Sequence, residues 1–155
     1  MNQATSKIDS PTPSQFRMIN NLSPLAWPLI RVVTGLWLMP HGAQKLFGWF
    51  GGHGLTGTGQ FFDSIGMSPG LPMALAAGII EFFGGLMLAL GLLTRPVALV
   101  VAAFLMVAMT VHIHNGFFWT NGGLEYPLMW AVLAIALLIR GGGYYSLDAR
   151  LGLRF

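Results

Sequence analysis

The chain has 155 residues, one ordinary domain's worth, yet 54% are hydrophobic, only 8% are charged, and the formal net charge is +3. An average soluble domain is about 25% charged, so a soluble fold of this composition would lack polar side chains to cover itself, and the same imbalance excludes disorder. The chain has no cysteine, which removes disulfide scaffolds, thiolate zinc sites, cysteine-held iron–sulfur clusters and cysteine nucleophiles. Its eight Lys and Arg are spread too thinly to make a nucleic-acid patch.

These numbers predict an all-α polytopic membrane protein. Residues 1–21 are polar and read as a flexible leader; residues 22–155 read as one transmembrane domain. A membrane helix needs about 20 mostly apolar residues. The first such run covers about residues 25–46, with Arg31 its only charge before Lys45. Pro24 and Pro28 fit its first turn, and Pro40 should kink it. A charged residue inside the run and the lack of an A-x-A site read as a retained helix and not a cleaved signal peptide.

Residues 48–70 are too polar to cross. Within them, Gln60 to Ile65 forms either a short helix lying in the interface or part of a glycine-rich loop. The second run, about residues 71–93, has Glu81 as its only charge. Thr94 reads as the N-cap of the third run, residues 96–113, which contains no Asp, Glu, Lys or Arg. Asn121-Gly122-Gly123 and Gly141-Gly142-Gly143 bracket the fourth run, residues 124–139, with Glu125 at its start. The runs are continuous and not alternating, which disfavours a β-barrel. The expected architecture is a four-helix membrane bundle.

Orientation follows from the basic residues. Lys7 and Arg17 precede the first run, Arg95 follows the second, and Arg140, Arg150 and Arg154 follow the fourth; Lys45 alone falls on the other side. Both termini are expected in the cytoplasm.

Ionisable groups inside a bilayer are costly and mark function by default. Arg31 shares a helical stripe with Gly35, Leu38, Gly42 and Lys45, so this face should meet protein. Glu81 shares its face with Gly78 and Gly85, which would admit a neighbouring helix closely. Arg31 is its expected partner, with Asp148 as an alternative partner for Arg31; a proton-carrying role for Glu81 stands beside this architectural one. The outer end collects His41, Lys45, His112, His114 and Glu125, near Trp119 and Tyr126. His41, Lys45, His112 and Glu125 would suit a quinone headgroup, with Glu81 and His41 as the catalytic candidates. Bis-histidine haem ligation by His41 and His112, or a plain interfacial belt, would use the same residues. The expectation is no haem and no metal.

Several blocks resemble the DoxX family of small four-helix membrane proteins. They are Arg31 with Gly35, His41-Gly42-Ala43-Gln44-Lys45-Leu46-Phe47-Gly48, Glu81-Phe82-Phe83-Gly84-Gly85, Gly91-Leu92-Leu93-Thr94-Arg95-Pro96, and Gly141-x-Gly143-x-x-Ser146-x-Asp148. The likeness covers about Ile30 to Leu151, and the matching polar positions are Arg31, His41, Lys45, Glu81, Ser146 and Asp148. It implies a bundle in a bacterial or archaeal cytoplasmic membrane. Family members are linked to quinone-dependent respiratory and sulfur-oxidation complexes, and others to soluble thiol or oxidative-stress enzymes.

The resulting expectation is a quinone-linked redox subunit of the membrane. A scaffold for a soluble oxidoreductase, without chemistry of its own, is the alternative; a small-solute or proton pathway along Glu81 is a third. The expected partners are the lipid bilayer, a soluble or membrane oxidoreductase and a second copy of the chain, with no nucleic acid.

Overall fold

The computed structural model describes residues 14–153, with side chains from residue 19 onward. Among the described residues all regular structure is helical. Helix α1, Ser14–Phe47, has 34 residues and is about 50 Å long at 1.5 Å per residue. It starts well before the expected first span. Residues 14–21, read above as leader, are its first turns; residues 1–13, including Lys7, lie outside the described residues. Pro24 and Pro28 therefore fall inside the helix and not at its start. A proline lacks the N–H that would reach the carbonyl four residues earlier. Ser23 replaces one such loss: its hydroxyl donates to Asn20 O at 2.8 Å, the carbonyl that Pro24 leaves without its helical donor.

Helix α2, Gly54–Ser64, settles the glycine-rich stretch as helical, longer than the six residues expected. It packs on α1 and on helix α3, Gly70–Ile79. Its Asp63 carboxylate accepts the backbone N–H of Gly70 at 2.8 Å, capping α3 from outside.

The second span is interrupted by a π-turn. α3 runs into a π-turn, Ile80–Gly84, and then into α4, Gly85–Leu90. Gly91 ends it with a left-handed φ of 68°, an ordinary helix stop that falls short of the expected boundary at residue 93. The glycine stripe of α1 meets this helix. A methyl group at Gly35 would overlap Gly85 O and Ala89 N, and one at Gly42 would overlap Phe82 N. The two backbones touch, as small residues allow in membrane helix pairs.

Helix α5, Thr94–His112, packs against helix α6, Glu125–Arg140, in the most extensive helix contact of the fold. Their shared core is Ala98, Val101, Ala102, Leu105, Ala131, Ala134 and Leu137, with Leu38 and Leu88 from the first two spans. The interior is thus rich in alanine and glycine, while Leu29, Leu36, Leu99, Val107, Val132 and Ile139 are exposed on the outside. That distribution suits a lipid solvent, where close backbone packing replaces the hydrophobic drive between helices.

Three helical stretches are long and apolar enough to cross a membrane: Ile19–Phe47, Gly70–Leu90 and Thr94–Asn115. α6 coincides with the fourth expected span, but its 16 residues extend only about 24 Å. The chain then turns through Gly141 to Gly143 into a short helix α7, Leu147–Leu151. Ser146 caps it by accepting Ala149 N at 3.1 Å.

Candidate functional site

Two polar centres lie along α1, one at its middle around Arg31 and one at its last turn around Lys45, some 14 residues or about 21 Å apart along its axis. At the first centre, Arg31 is 3% exposed. It donates from Nη1 to Gly142 O at 2.6 Å and from Nη2 to Tyr145 O at 3.0 Å. Asp148 accepts Leu93 N at 2.7 Å, Thr94 N at 2.9 Å and the Thr94 hydroxyl at 2.6 Å. The first residue outside α5 is Leu93, and its cap comes from the Asp148 carboxylate. This corrects the expectation that Thr94 caps the helix with its own side chain. Trp27 donates to Gly141 O at 2.8 Å and lies under the Arg140 guanidinium, 4.7 Å from the ring centroid. This centre ties the C-terminal loop to α1 and α5, mostly through hydrogen bonds to backbone; Arg31 Nε is buried without a hydrogen-bond partner among the described residues.

The expected Arg31–Glu81 pair does not form. Glu81 lies in the π-turn, about 15 Å along the second span from the Gly91 turn, and it is Gly91 that packs on the Arg31 guanidinium. The partner of Glu81 is Lys45, whose Nζ stands 2.7 Å from Oε2. The cause is the antiparallel register of the glycine contacts. Gly35 on Gly85 and Gly42 on Phe82 bring the last turn of α1 to the π-turn. The predicted cluster of Arg31, Glu81 and Asp148 is therefore split between the two centres.

Glu81 is 7% exposed. The approach of Lys45 is close but misaligned, so Oε2 has no well-formed hydrogen bond among the described residues. Lys45 Nζ also donates to His41 O at 3.4 Å. A buried pair of this sort carries a desolvation cost that its mutual attraction offsets only in part.

Above this pair opens a cavity of about 830 Å³. α2 contributes Thr58, Phe61 and Phe62; α3 contributes Met73, Ala76 and Ala77; α5 contributes a long apolar face from Leu99 to Val111. Lys45, Glu81, His53 and His112 supply its ionisable groups. His112 Nδ1 is 2.6 Å from Gly122 O; a carbonyl only accepts, so Nδ1 carries a proton, and Nε2 is the acceptor whenever the ring is neutral. Of the expected headgroup set, Lys45 and His112 line the cavity. His41 is exposed and offers only its backbone carbonyl to Lys45, and Glu125 accepts Trp119 N at 3.0 Å away from the lining. The loop before α6 accounts for Glu125: its carboxylate closes the turn that leads into that helix.

His53, Thr58 and the α2 aromatics were missed by sequence reasoning. Their signal is weak, because a short glycine-rich segment shows no periodicity until its partner helix is known. His53 is both exposed and part of the lining. Chemically, the cavity offers an ammonium donor, a carboxylate acceptor and an imidazole acceptor within otherwise apolar walls, the make-up of a small-molecule pocket.

The DoxX family model matches residues 26–115, which includes α1 from Ala26 on, the π-turn and all of α5. The chain belongs to the DoxX family. A Bacillus subtilis protein named "Putative oxidoreductase CatD" is 34% identical over 121 residues, covering 77% of this chain and 82% of that protein. A Haemophilus influenzae protein named only as uncharacterised is 29% identical over 141 residues, covering 84% of this chain and 96% of that one. No solved structure matches. The family match takes in Arg31, Lys45, Glu81 and His112, while Ser146 and Asp148 lie beyond its end.

Proposed function

We propose that this DoxX protein is the membrane subunit of a quinone-linked oxidoreductase, with the quinone headgroup held against Lys45 and Glu81. The observation that carries the reading is the cavity itself. Its volume of about 830 Å³ is within the range of roughly 300–1,000 Å³ typical of small-molecule sites, and its apolar walls end on a donor–acceptor pair. Lys45 would donate a hydrogen bond to a ring carbonyl. Glu81, in contact with Lys45, would pass the proton that accompanies reduction or oxidation of the ring. The bound quinone supplies a two-electron carrier, and a soluble or membrane oxidoreductase partner supplies or removes the electrons. The name of the Bacillus subtilis relative supports an oxidoreductase setting. A pure scaffold has no need of a cavity at a buried ion pair.

In the same reading α6 completes a fourth crossing with its flanking loop residues, and both termini are cytoplasmic in a bacterial or archaeal plasma membrane. Arg95, Arg140 and Arg150 lie on one side and Lys45 on the other, which supports that orientation. The test is titration of the purified full chain in nanodiscs with a decyl-tailed benzoquinone. Saturable binding weakened about tenfold in Lys45→Ala is expected; the absence of saturable binding would overturn the proposal.

A further inference from the structure

The cavity lacks a wall on one side. α5 meets the second span at the π-turn and at α4. Beyond the π-turn α3 and α5 do not pack closely on each other, and the cavity occupies the space between them. The rim of this gap is apolar. Leu99, Ala103 and Val107 follow one another at four-residue spacing along one face of α5, and Met73 faces the same space from α3. Leu99 is 56% exposed, Val107 50% and Met73 43%. Large side chains exposed within the apolar stretch of a membrane-spanning helix, as Leu99 and Val107 are on α5, meet acyl chains and not water. The floor of the gap is its opposite in character, with Glu81 buried and its Oε2 short of a well-formed hydrogen bond.

We propose that the cavity is filled sideways from the bilayer, through the gap between α3 and α5, by an amphiphile whose polar ring rests on Lys45 and Glu81 while its tail remains among the lipids. The choice of a quinone-type ring rests on the function proposed above; the route is drawn from the rim. A tail lying in the gap covers Leu99, Ala103 and Val107, the exposed apolar face of α5 that lines the cavity.

The test uses the full chain in nanodiscs and two probes: a benzoquinone with a decyl tail ending in a photoactivatable diazirine, and the same ring without a tail. Illumination is expected to label Met73, Leu99, Val107 or their neighbours on α3 and α5. Ala103→Trp, which fills the gap, is expected to weaken the tailed probe about tenfold and the bare ring less than about twofold. Ala103→Met makes the same comparison if the tryptophan variant fails to fold. Labels confined to α1 or α6, or equal weakening of both probes, would overturn the lateral route while leaving the headgroup site standing. If neither probe binds the folded wild type, the quinone reading fails and this proposal fails with it.

Discussion

Asp148 caps α5 through Thr94, its Oδ2 accepting both the backbone N–H and the hydroxyl of that residue, at 2.9 and 2.6 Å. The two residues stand in different helices, so the cap also fastens the C-terminal loop to the start of α5. Asp148→Ala removes the acceptor and leaves buried donors unsatisfied, at an expected cost of about 2–3 kcal/mol. Thermal unfolding of the purified protein in detergent should show this as a lower midpoint. Thr94→Val should cost less, and the double variant should lose less than the two single losses added together, because both remove one hydrogen-bonded unit.

The Lys45–Glu81 pair predicts an asymmetric mutational series. Lys45→Ala strands a buried carboxylate and should lower stability by about 3–5 kcal/mol, whereas Lys45→Met with Glu81→Gln removes both charges and should cost less than the sum of the two single changes. Arg31→Gln combined with Glu81→Gln should show near-additive losses, since these side chains lie in separate centres. The same unfolding assay reads both comparisons, and strong coupling between Arg31 and Glu81 would contradict the observed register.

Substitution on the glycine stripe should be severe out of proportion to size. Gly35→Ala and Gly42→Ala each place a methyl into the backbone of the second span, and folded yield measured by size-exclusion chromatography should fall sharply. Leu36→Ala alters a lipid-facing neighbour that is 49% exposed and should stay within about 0.5 kcal/mol of wild type.

The proposed orientation predicts that a reporter fused after residue 155 is cytoplasmic and that one inserted near Gly52 is external. An external C-terminal reporter together with an external one near Gly52 would leave three crossings and make α6 a helix that does not span; an external C-terminus with a cytoplasmic Gly52 would invert the orientation.

Much of the architecture was legible in the sequence, since an apolar run of membrane length has few alternatives to a helix. The stripe through Arg31, Gly35 and Gly42 showed that α1 would face protein. What it left undetermined was depth. The partner of Glu81 depends on where the second span starts and stops, and an estimate made from the middle of an apolar run missed both the stop at Gly91 and the long N-terminal extension of α1. Thr94 was recognised as lying at a helix start; its capping by Asp148 could not be, because that bond joins segments 54 residues apart. The wall contributed by α2 was illegible for a related reason. Its glycines acquire meaning only against Gly70 and Leu71, which approach Gly59 closely in space.

The π-turn at Ile80–Gly84 has a consequence for insertions and deletions. Such a turn is an α-helix carrying one surplus residue, and each residue of a helix is about 100° of rotation. Deleting one residue from this stretch would restore ordinary helix pitch and swing one half of the span by about that angle relative to the other. The Gly35–Gly85 seam and the Lys45–Glu81 contact lie on opposite sides of the turn's midpoint, so no single-residue deletion there keeps both in phase. Substitutions around the cavity can be absorbed one side chain at a time; a change of length in those five residues cannot.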